Sequence, residues 1–139
     1  MRFDVITIFP NIFEGFLSES LLAKAQKKKL ITVEVHNLRR WTADRHQTVD
    51  GKPYGGGPGM LLKIEPIFKA VKSLSSYKVH KGKRKVILFS PRGKKFDQAM
   101  AKKWSKLDQL IFICGRYEGV DERVAEHIAD EVVSIGDYV

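Results

Sequence analysis

Apolar and polar positions along the chain predict strands that alternate with helices. Runs of β-branched and aromatic residues predict buried strands, and apolar residues at helical spacing predict the helices between them. The predicted strands cover residues 3–9, 30–37, 60–63, 86–90, 110–114 and 131–136. The predicted helices cover residues 11–29, 65–75, 96–107 and 121–129. Because this order is typical of βαβ units, the sequence predicts an α/β fold with a mostly parallel sheet and helices on both faces.

Two local features refine this prediction. Asn11 is followed three residues later by Glu14, a pattern that predicts a capped start for the first helix. Residues 38–59 are polar, charged and rich in glycine, with no periodic pattern. A segment of that length is too long for an ordinary connection in a compact domain, so it is expected to be either functional or disordered.

Composition narrows the class of protein. At 139 residues and 43% hydrophobic content, the chain is expected to fold as one domain. No apolar run approaches the roughly 20 residues that a membrane span needs, so we expect a cytoplasmic protein with no membrane partner. Cys114 is the single cysteine, which excludes an intrachain disulfide and a thiolate zinc cluster. We expect it to be a reduced, buried strand residue.

Charge is distributed unevenly along the chain. The net charge is +9, and residues 69–106 contain thirteen lysines and arginines against one acid, Asp97. Residues 108–139 contain eight acids against Arg116 and Arg123. One interpretation of the basic segment is a footprint for nucleic-acid phosphates. A solvated lysine-rich surface explains the charge equally well, so both interpretations stay open.

Three glycine-containing motifs follow predicted strands. They are "SPRG" (90–93), "GRYEG" (115–119) and "IGDY" (135–138). Open α/β sheets bind ligands at the carboxyl ends of their parallel strands, so the three motifs are expected to converge on one crevice. Glycines let the backbone approach a ligand, and free backbone groups can then read a base edge such as that of adenine. Each glycine alone fits an ordinary turn; the three together indicate a site.

Several common sites are absent from the sequence. The stretch "YGGGPGMLLK" lacks the Gly-Lys-Ser/Thr of a P-loop, and neither glycine cluster matches G-x-G-x-x-G. No G-x-S-x-G nucleophile motif is present. The four histidines have no spacing typical of metal ligands. Nucleotide hydrolysis, ordinary dinucleotide binding and a structural metal site therefore lose support.

Four stretches carry a resemblance to a known family. They are "TVDGKPYGGGPGMLL" (48–62), "SPRGKKFDQ" (90–98), "CGRYEGVDERV" (114–124) and "SIGDYV" (134–139). In order and spacing they resemble the bacterial tRNA (guanine-N1)-methyltransferases of the TrmD family, which are knotted SPOUT methyltransferases. The resemblance implies a SPOUT-type S-adenosylmethionine-binding domain over residues 1–139. It also implies methyl transfer to guanosine 37 of tRNA, next to the anticodon, where another guanosine precedes it.

The resemblance also implies a set of cofactor-binding residues, which hold S-adenosylmethionine through backbone groups of three loops. They are Leu88, Phe89, Ser90, Pro91, Gly115, Tyr117, Glu118, Gly119, Ser134, Ile135, Gly136 and Tyr138. The two tyrosines would close over the apolar body of the cofactor. Glu118 is the one carboxylate in this set, and it could hold the sulfonium and amino end of the cofactor or a Mg²⁺ ion.

A second set of residues would border the target guanine or the tRNA. They are His46, Asp50, Tyr54, Pro58 and Gly59. A target base must be inserted into the site, and a stretch with little side-chain bulk suits that step. A carboxylate at Asp50 could accept from guanine donors. His46 is also explained as a solvated loop residue. Arg116 and Arg123 are either phosphate contacts or partners of nearby acids, and we favour the second role for Arg123.

The resemblance ends before the family's catalytic residues. In the family, an aspartate that acts as general base and an arginine come from segments that follow this region, as does a helical C-terminal domain. No residue of this chain corresponds to them, so no catalytic residue is assigned before Val139 and the chain alone is expected to be inactive or nearly so. A knot that is incomplete or shallow is expected, and dimerisation is plausible because the family forms homodimers.

One alternative belongs to another functional class. The chain could be a non-catalytic RNA-binding module, in which residues 69–106 bind RNA and the cofactor cleft is vestigial. The enzyme hypothesis predicts that S-adenosylmethionine protects Tyr117 and Tyr138. The RNA-binding hypothesis instead predicts salt-sensitive RNA binding with no effect of the cofactor.

Overall fold

The computed structural model describes residues 1–53, 56, 58–80 and 82–138. In chain order, its strands are β1 (Arg2–Thr7), β2 (Thr32–Asn37), β3 (Asp50–Gly51), β4 (Leu61–Leu62), β5 (Arg84–Lys95), β6 (Gln109–Cys114) and β7 (Glu131–Ser134). Five of them form one sheet in the order β2-β1-β6-β5-β7, and every pairing in it is parallel. β3 and β4 form a separate antiparallel pair. The predicted parallel sheet is therefore confirmed.

Helices cover both faces of this sheet. They are α1 (Glu14–Leu17), α2 (Ser20–Lys27), α3 (Ile64–Leu74), α4 (Gln98–Trp104) and α5 (Glu122–His127), with 3-10 helices at Pro10–Phe13 and Leu38–Trp41. On one face, α3 and α5 bury Ile67 and Val124 in the larger apolar cluster. On the other face, Trp104 of α4 belongs to a second cluster with Ile87 and Leu110. Burial of apolar surface on both sides holds the sheet in place and fixes its carboxyl edge, where the loops begin.

The prediction of one helix over residues 11–29 is wrong. The segment is divided into the Pro10–Phe13 3-10 helix, α1 and α2. Ser20 has a φ of +52°, a left-handed conformation that an uninterrupted right-handed helix does not contain. No side chain caps the helix at Pro10, so the expected Asn11 cap is also absent. Phe16 and Leu21 are 70% and 77% exposed instead of facing the core.

Strand β5 is much longer than the predicted strand over residues 86–90. Phe89 and Lys94 both pair with Val133 of β7, so residues 90–93 leave the ladder and return to it. A Cβ atom at Gly93 would lie 2.4 Å from the Val133 backbone nitrogen, so only glycine fits this close approach. The "SPRG" motif is therefore an excursion from the sheet edge that is fixed at both ends.

A buried carboxylate links three neighbouring strands, β1, β2 and β6. Asp4 of β1 has no exposed surface and accepts hydrogen bonds from Arg2 at 2.7 Å, His36 at 2.8 Å and Gln109 at 2.7 Å. Burial alone raises the pKa of this carboxyl, but the hydrogen bonds from His36, Arg2 and Gln109 outweigh it and hold the pKa at about 2. The carboxylate is therefore charged and fully partnered at neutral pH.

Among the described residues, no helix combines the length and the apolar character that crossing a membrane requires.

Candidate functional site

A cavity of about 720 Å³ lies at the carboxyl edge of the sheet. Its walls come from the middle of β5, the residues that follow β6, the first half of α5 and Val132 of β7. The lining residues are Leu88, Phe89, Ser90, Pro91, Arg92, Gly115, Arg116, Tyr117, Glu118, Gly119, Val120, Glu122, Ala125 and Val132. Eight of the twelve residues predicted to bind the cofactor are among them. The structure thus brings the first two motifs together, at the edge where parallel sheets bind ligands.

The cavity combines an apolar wall with polar groups at its mouth. Leu88, Val120 and Val132 provide apolar surface, while Glu122 forms an ion pair with Arg92 at the exposed rim. A Cβ atom added at Gly115 would lie 3.6 Å from Val120 and 3.8 Å from the Phe89 carbonyl oxygen. These are ordinary van der Waals distances. The site therefore offers both a surface for an apolar ligand body and charged groups that could orient it.

The second motif turns sharply as it passes the cavity. Tyr117 has a φ of +59°, which is uncommon for a residue with a side chain, and Gly119 has a φ of +125°. The Gly119 N–H donates to the Arg116 carbonyl at 3.1 Å and closes the turn. Half of the Tyr117 side chain stays exposed at the rim. Backbone strain of this kind is concentrated at ligand sites, which supports a binding role for this turn.

Glu118 connects this turn to Met60, which directly follows the segment without a periodic pattern (residues 38–59). Its Oε2 accepts a hydrogen bond from the Met60 backbone N–H at 2.7 Å. The Met60 carbonyl accepts from the Glu118 N–H at 3.3 Å, and Leu62 exchanges further backbone hydrogen bonds with Gly119 at 3.1 Å and Asp121 at 2.9 Å. Residues 60–62 therefore run alongside residues 118–121. The stretches 48–62 and 114–124, which are distant in the sequence, are therefore joined by hydrogen bonds.

Gly59 lies directly against this junction. It has a φ of +92°, and a Cβ atom there would lie 2.0 Å from the carboxyl carbon of Glu118. No side chain fits in that position without moving the carboxylate. The predicted substrate residue Gly59 is therefore placed beside the predicted cofactor residue Glu118.

The other predicted substrate residues are more dispersed. Asp50 is half-buried in β3, where it pairs with Leu62 and so adjoins the same segment. His46 and Pro58 are exposed and are not among the residues that line the cavity. Tyr54 lies outside the described residues. Their roles toward the guanine stay predictions.

The third predicted loop does not reach the cavity. None of Ser134, Ile135, Gly136 and Tyr138 is among the lining residues. The Ser134 hydroxyl donates to the Gly136 carbonyl at 2.8 Å, and a Cβ at Gly136 would lie 2.2 Å from the Tyr138 ring. This local turn directs Ile135 to a separate apolar cavity of about 390 Å³ on the α4 face, which shares Phe89 with the first. Convergence of all three motifs is therefore not seen among the described residues.

Six residues that line the cavity were not among the predicted cofactor residues. These six are Arg92, Arg116, Val120, Glu122, Ala125 and Val132. Arg92 and Arg116 lie within "SPRG" and "GRYEG", so the sequence signal for them was proximity to a motif. The Arg116 guanidinium lies 5.3 Å from the Phe9 ring centre, which leaves its role open. Arg123 pairs with Asp121 at 2.6 Å, as favoured from the sequence.

Glu118 is the carboxylate that the sequence assigned to a possible Mg²⁺ ion, and one of its oxygens already accepts a backbone hydrogen bond. Its role toward Mg²⁺ stays a prediction. Within the described ranges, the group with metal-like geometry is Asp4, Glu34 and His36, whose ligand atoms lie within 4.8 Å of one another. Arg2 already donates to both of those carboxylates, so its guanidinium supplies the positive charge there.

Comparison with known proteins gives consistent results. The family model described as tRNA (Guanine-1)-methyltransferase TrmD matches residues 1–139. Curated proteins named tRNA (guanine-N(1)-)-methyltransferase match the whole chain at 49% identity in Carboxydothermus hydrogenoformans, 55% in Dictyoglomus turgidum and 50% in Enterococcus faecalis. The match covers 53%, 54% and 56% of those relatives. The chain thus spans about half the length of the curated relatives it matches.

A solved structure has the same fold. The crystal structure of tRNA (m1G37) methyltransferase from Aquifex aeolicus aligns with a TM-score of 0.86 at 40% identity. The alignment covers 100% of this chain and 61% of that protein.

Proposed function

The chain belongs to the tRNA (guanine-1)-methyltransferase TrmD family, and on that premise we propose that it forms the cofactor-binding part of an S-adenosylmethionine-dependent enzyme that methylates N1 of guanosine 37 in tRNA. Its parallel sheet is of the SPOUT type seen in the Aquifex aeolicus structure. The observation that carries the proposal is the junction of Glu118 with Gly59 and Met60, because it unites the cavity with the segment expected to border the guanine.

The cavity suits S-adenosylmethionine in size and in chemistry. Its volume of about 720 Å³ falls within the range of roughly 300–1,000 Å³ that is typical of small-molecule sites. The apolar wall at Leu88, Val120 and Val132 matches the cofactor's apolar body. The carboxylates of Glu118 and Glu122 match its cationic sulfonium and amino groups. Backbone groups at the ends of β5 and β6 are available to read the adenine edge.

Each part of the chain then has one task. The bound cofactor supplies an electrophilic methyl group. The two strand-end loops hold and orient it, and the Glu118 carboxylate fixes the distance between those loops and residues 59–60. The small residues of that segment leave room for a guanine base that has left its stack. Asp50, on the strand paired with Leu62, is proposed to accept from the guanine donors.

A free general base is not found among the described residues that line the cavity. Glu118 accepts from Met60, and Glu122 is paired with Arg92. Removing the proton of guanine N1 requires a positioned base, so we expect these 139 residues to bind the cofactor without turnover. Incubation with tritiated S-adenosylmethionine and a tRNA transcript tests this expectation, and label in the RNA above background would contradict it. The trefoil knot stays a prediction.

Association of two copies is also proposed. Ile12, Phe16 and Leu21 on the segment between β1 and β2 are each at least 70% exposed, which is costly for side chains of this size. Phe9, at the start of that segment, lies against Arg116 of the cavity, so a partner covering these side chains would approach the site. Multi-angle light scattering of the parent and of a Phe16→Asp variant tests this proposal, which predicts a dimer and a monomer respectively.

The alternative of a non-catalytic RNA-binding module is not favoured. The relatives that match the entire chain are named as methyltransferases. The cavity has a volume of about 720 Å³, whereas a vestigial cleft would be expected to be filled by side chains. We propose a cytoplasmic location, because that is where tRNA is found in bacteria.

The location of the cofactor can be tested residue by residue. A titration with S-adenosylmethionine, followed by two-dimensional ¹H–¹⁵N spectra, is expected to shift the amides of residues 88–90, 92 and 115–119. The amides at the beginnings of the strands serve as the internal control and should not shift. Shifts at Ser134 and Gly136 would add the third loop to the site. Shifts confined to other parts of the chain would overturn the proposal.

A further inference from the structure

A second polar cavity lies at the opposite edge of the sheet, where the strands begin. It has a volume of about 510 Å³. It is lined by Met1, Arg2, Thr32, Tyr77, Lys78, Val79, His80 and Asp108. Arg2 pairs with Thr32 and Gln109 at the first position of the ladder, so one strand length separates the two cavities. For a six-residue strand this is about 20 Å, and the second cavity is therefore separate from the cofactor site.

An aromatic ring stands at the mouth of this cavity. The Tyr77 side chain is 51% exposed, and the Arg2 guanidinium lies 4.8 Å from its ring centre. Arg2 is itself fixed by Asp4 and Glu34 at 2.7 Å and 2.9 Å. One face of the Tyr77 ring therefore packs against the fixed Arg2 guanidinium, while the exposed part of the ring remains accessible to a ligand. Exposed rings beside cations are the elements on which unpaired nucleic-acid bases stack.

Exposed lysines lie at this edge of the sheet. Lys78 lines the cavity, and the Lys83 ammonium donates to the Lys106 carbonyl at 3.1 Å. The Lys83 carbonyl in turn accepts from the Asp108 N–H at 2.8 Å. Lysines 27–29 end α2 immediately before β2, whose Thr32 N–H donates to the Met1 carbonyl at 3.0 Å. Lysines from two parts of the sequence therefore belong to segments that end or begin at this edge.

The acids at this edge already have partners. The Asp108 carboxylate accepts from the His80 ring at 2.8 Å, which lowers the pKa of that carboxyl. Glu34 is bound to Arg2, and Asp130 accepts from the Val86 N–H at 2.7 Å. In the described part of the chain, Lys78, Lys83 and Lys106 have no carboxylate within ion-pair distance. The charges of Lys78 and Lys106 are therefore left for an external polyanion, whereas the charge of Lys83 also acts on Asp108 and helps to lower the pKa of that carboxyl.

We propose that this edge of the sheet, which we call the amino-edge surface (Tyr77, Lys78, Lys83 and Lys106), binds the phosphate backbone of RNA, with an unpaired base stacked on Tyr77. Lysines that neutralise phosphates release counterions, which gives affinity without sequence preference. The surface is a second contact, about a strand length from the methyl-transfer cavity. It rests on RNA being the partner, as in the proposed function, but uses different residues.

Matched charge variants test the surface. The edge variant carries Lys78→Gln, Lys83→Gln and Lys106→Gln. The control variant carries Lys69→Gln, Lys94→Gln and Lys102→Gln, three exposed lysines from α3, β5 and α4. Each variant lowers the net charge from +9 to +6, because three positive charges are removed. The measurement is binding to a tRNA transcript at several salt concentrations, with thermal unfolding to show that each variant is folded.

The two variants are expected to differ clearly. The edge variant should bind tRNA roughly tenfold or more weakly at about 0.1 M salt, with a salt slope reduced by about 2 to 3. The control variant should keep the parent slope and lose less than about threefold. Equal losses in both variants would show that total charge alone matters and would overturn the proposal.

The ring is tested separately. Tyr77→Leu removes the aromatic face and is expected to weaken binding to single-stranded RNA about tenfold, whereas Tyr77→Phe should keep it. Equal binding by both variants would overturn the stacking role. Calorimetric titration with S-adenosylmethionine separates this proposal from the proposed function. If the parent chain binds the cofactor but not tRNA, the amino-edge surface is wrong while the cofactor site stands. If the parent chain binds tRNA through this surface but does not bind the cofactor, the cofactor site is wrong while the amino-edge surface stands.

Discussion

The Glu118 carboxylate accepts a hydrogen bond from the backbone N–H of Met60 at 2.7 Å, which joins two residues 58 positions apart. A charged acceptor of this kind makes a hydrogen bond about twice as strong as a neutral one. It ties the turn beside the cavity that we propose for the cofactor to the glycine-rich segment that we propose for the guanine. Both halves of the proposed reaction centre are thus positioned by one side chain.

Replacement of Gly59 should break this junction. Gly59→Ala adds a Cβ atom 2.0 Å from the Glu118 carboxyl carbon at a φ of +92°. Gly56→Ala is the matched control, because Gly56 has a similar φ of +84° and no described atom within 4 Å of the added Cβ. Both variants should lose about 1–2 kcal/mol from backbone strain. Only Gly59→Ala should also weaken S-adenosylmethionine binding, by about tenfold, as measured by calorimetry. Equal affinities would contradict a role for the junction.

Replacement of Gly93 by a residue with a side chain should also be destabilising, for a different reason. A Cβ there would approach the backbone of Val133, which cannot move without breaking the β5–β7 ladder. Gly93→Ala is expected to lower the free energy of unfolding by about 2–3 kcal/mol. Gly15→Ala, in α1 with open space around it, should be neutral or stabilise by up to about 1 kcal/mol. Urea unfolding measures both, and a neutral Gly93→Ala would disprove the close approach.

The buried Asp4 carboxylate predicts a loss of stability in acid. Its pKa of about 2 in the folded chain is below its ordinary value of 3.8. A lowered pKa contributes stability above the ordinary value, and that contribution is lost as the pH falls from about 5 toward 2. The difference of about 2 units corresponds to roughly 2.5 kcal/mol. Unfolding by urea between pH 7 and pH 2.5 measures this change.

Other carboxyls also have a lowered pKa, so Asp4 is isolated by comparison of variants. Asp4→Asn should be less stable at pH 7 by about 3 kcal/mol, because Arg2 and His36 lose a charged partner in a buried site. Its stability should also fall less steeply with acid than that of the parent. Glu34→Gln, which removes only the more exposed partner of Arg2, should keep the parent slope. Parallel slopes for the parent and Asp4→Asn would contradict this account.

Cys114 should be unreactive in the folded protein. It is partly buried at the end of β6, and burial raises the pKa of its thiol to about 11. The thiolate is the reactive form, and only about one thiol in a thousand would be ionised at pH 8, so the rate of reaction should be low. Labelling with a chromogenic disulfide should therefore be slow in buffer and rapid in urea. Fast labelling of the folded chain would contradict the burial.

Local pattern was enough to predict much of the fold. The strand and helix order follows from apolar periodicity, and the position of two motifs beside one cavity follows from their places after the apolar runs 86–90 and 110–114. Both inferences depend on residues close together in the sequence, where the period of the apolar positions is decisive. The resemblance to the family depended on short motifs of the same local kind.

Features that depend on distant contacts could not be predicted in this way. The split between α1 and α2 depends on the conformation of Ser20, which its residue type does not specify. The return of β5 to the ladder after residue 93 depends on pairing with Val133, and the Glu118 junction depends on Gly59 being brought beside it. The Asp4 network likewise requires three strands to assemble first. Such contacts exist only in the folded chain.

The most direct test of the central claim is calorimetric titration of the folded chain with S-adenosylmethionine. The parent and Gly56→Ala should give saturable heat with one site per chain, and Gly59→Ala should bind about tenfold more weakly. A parent chain that is folded by circular dichroism but gives no saturable heat would contradict the assignment of this cavity as the cofactor site.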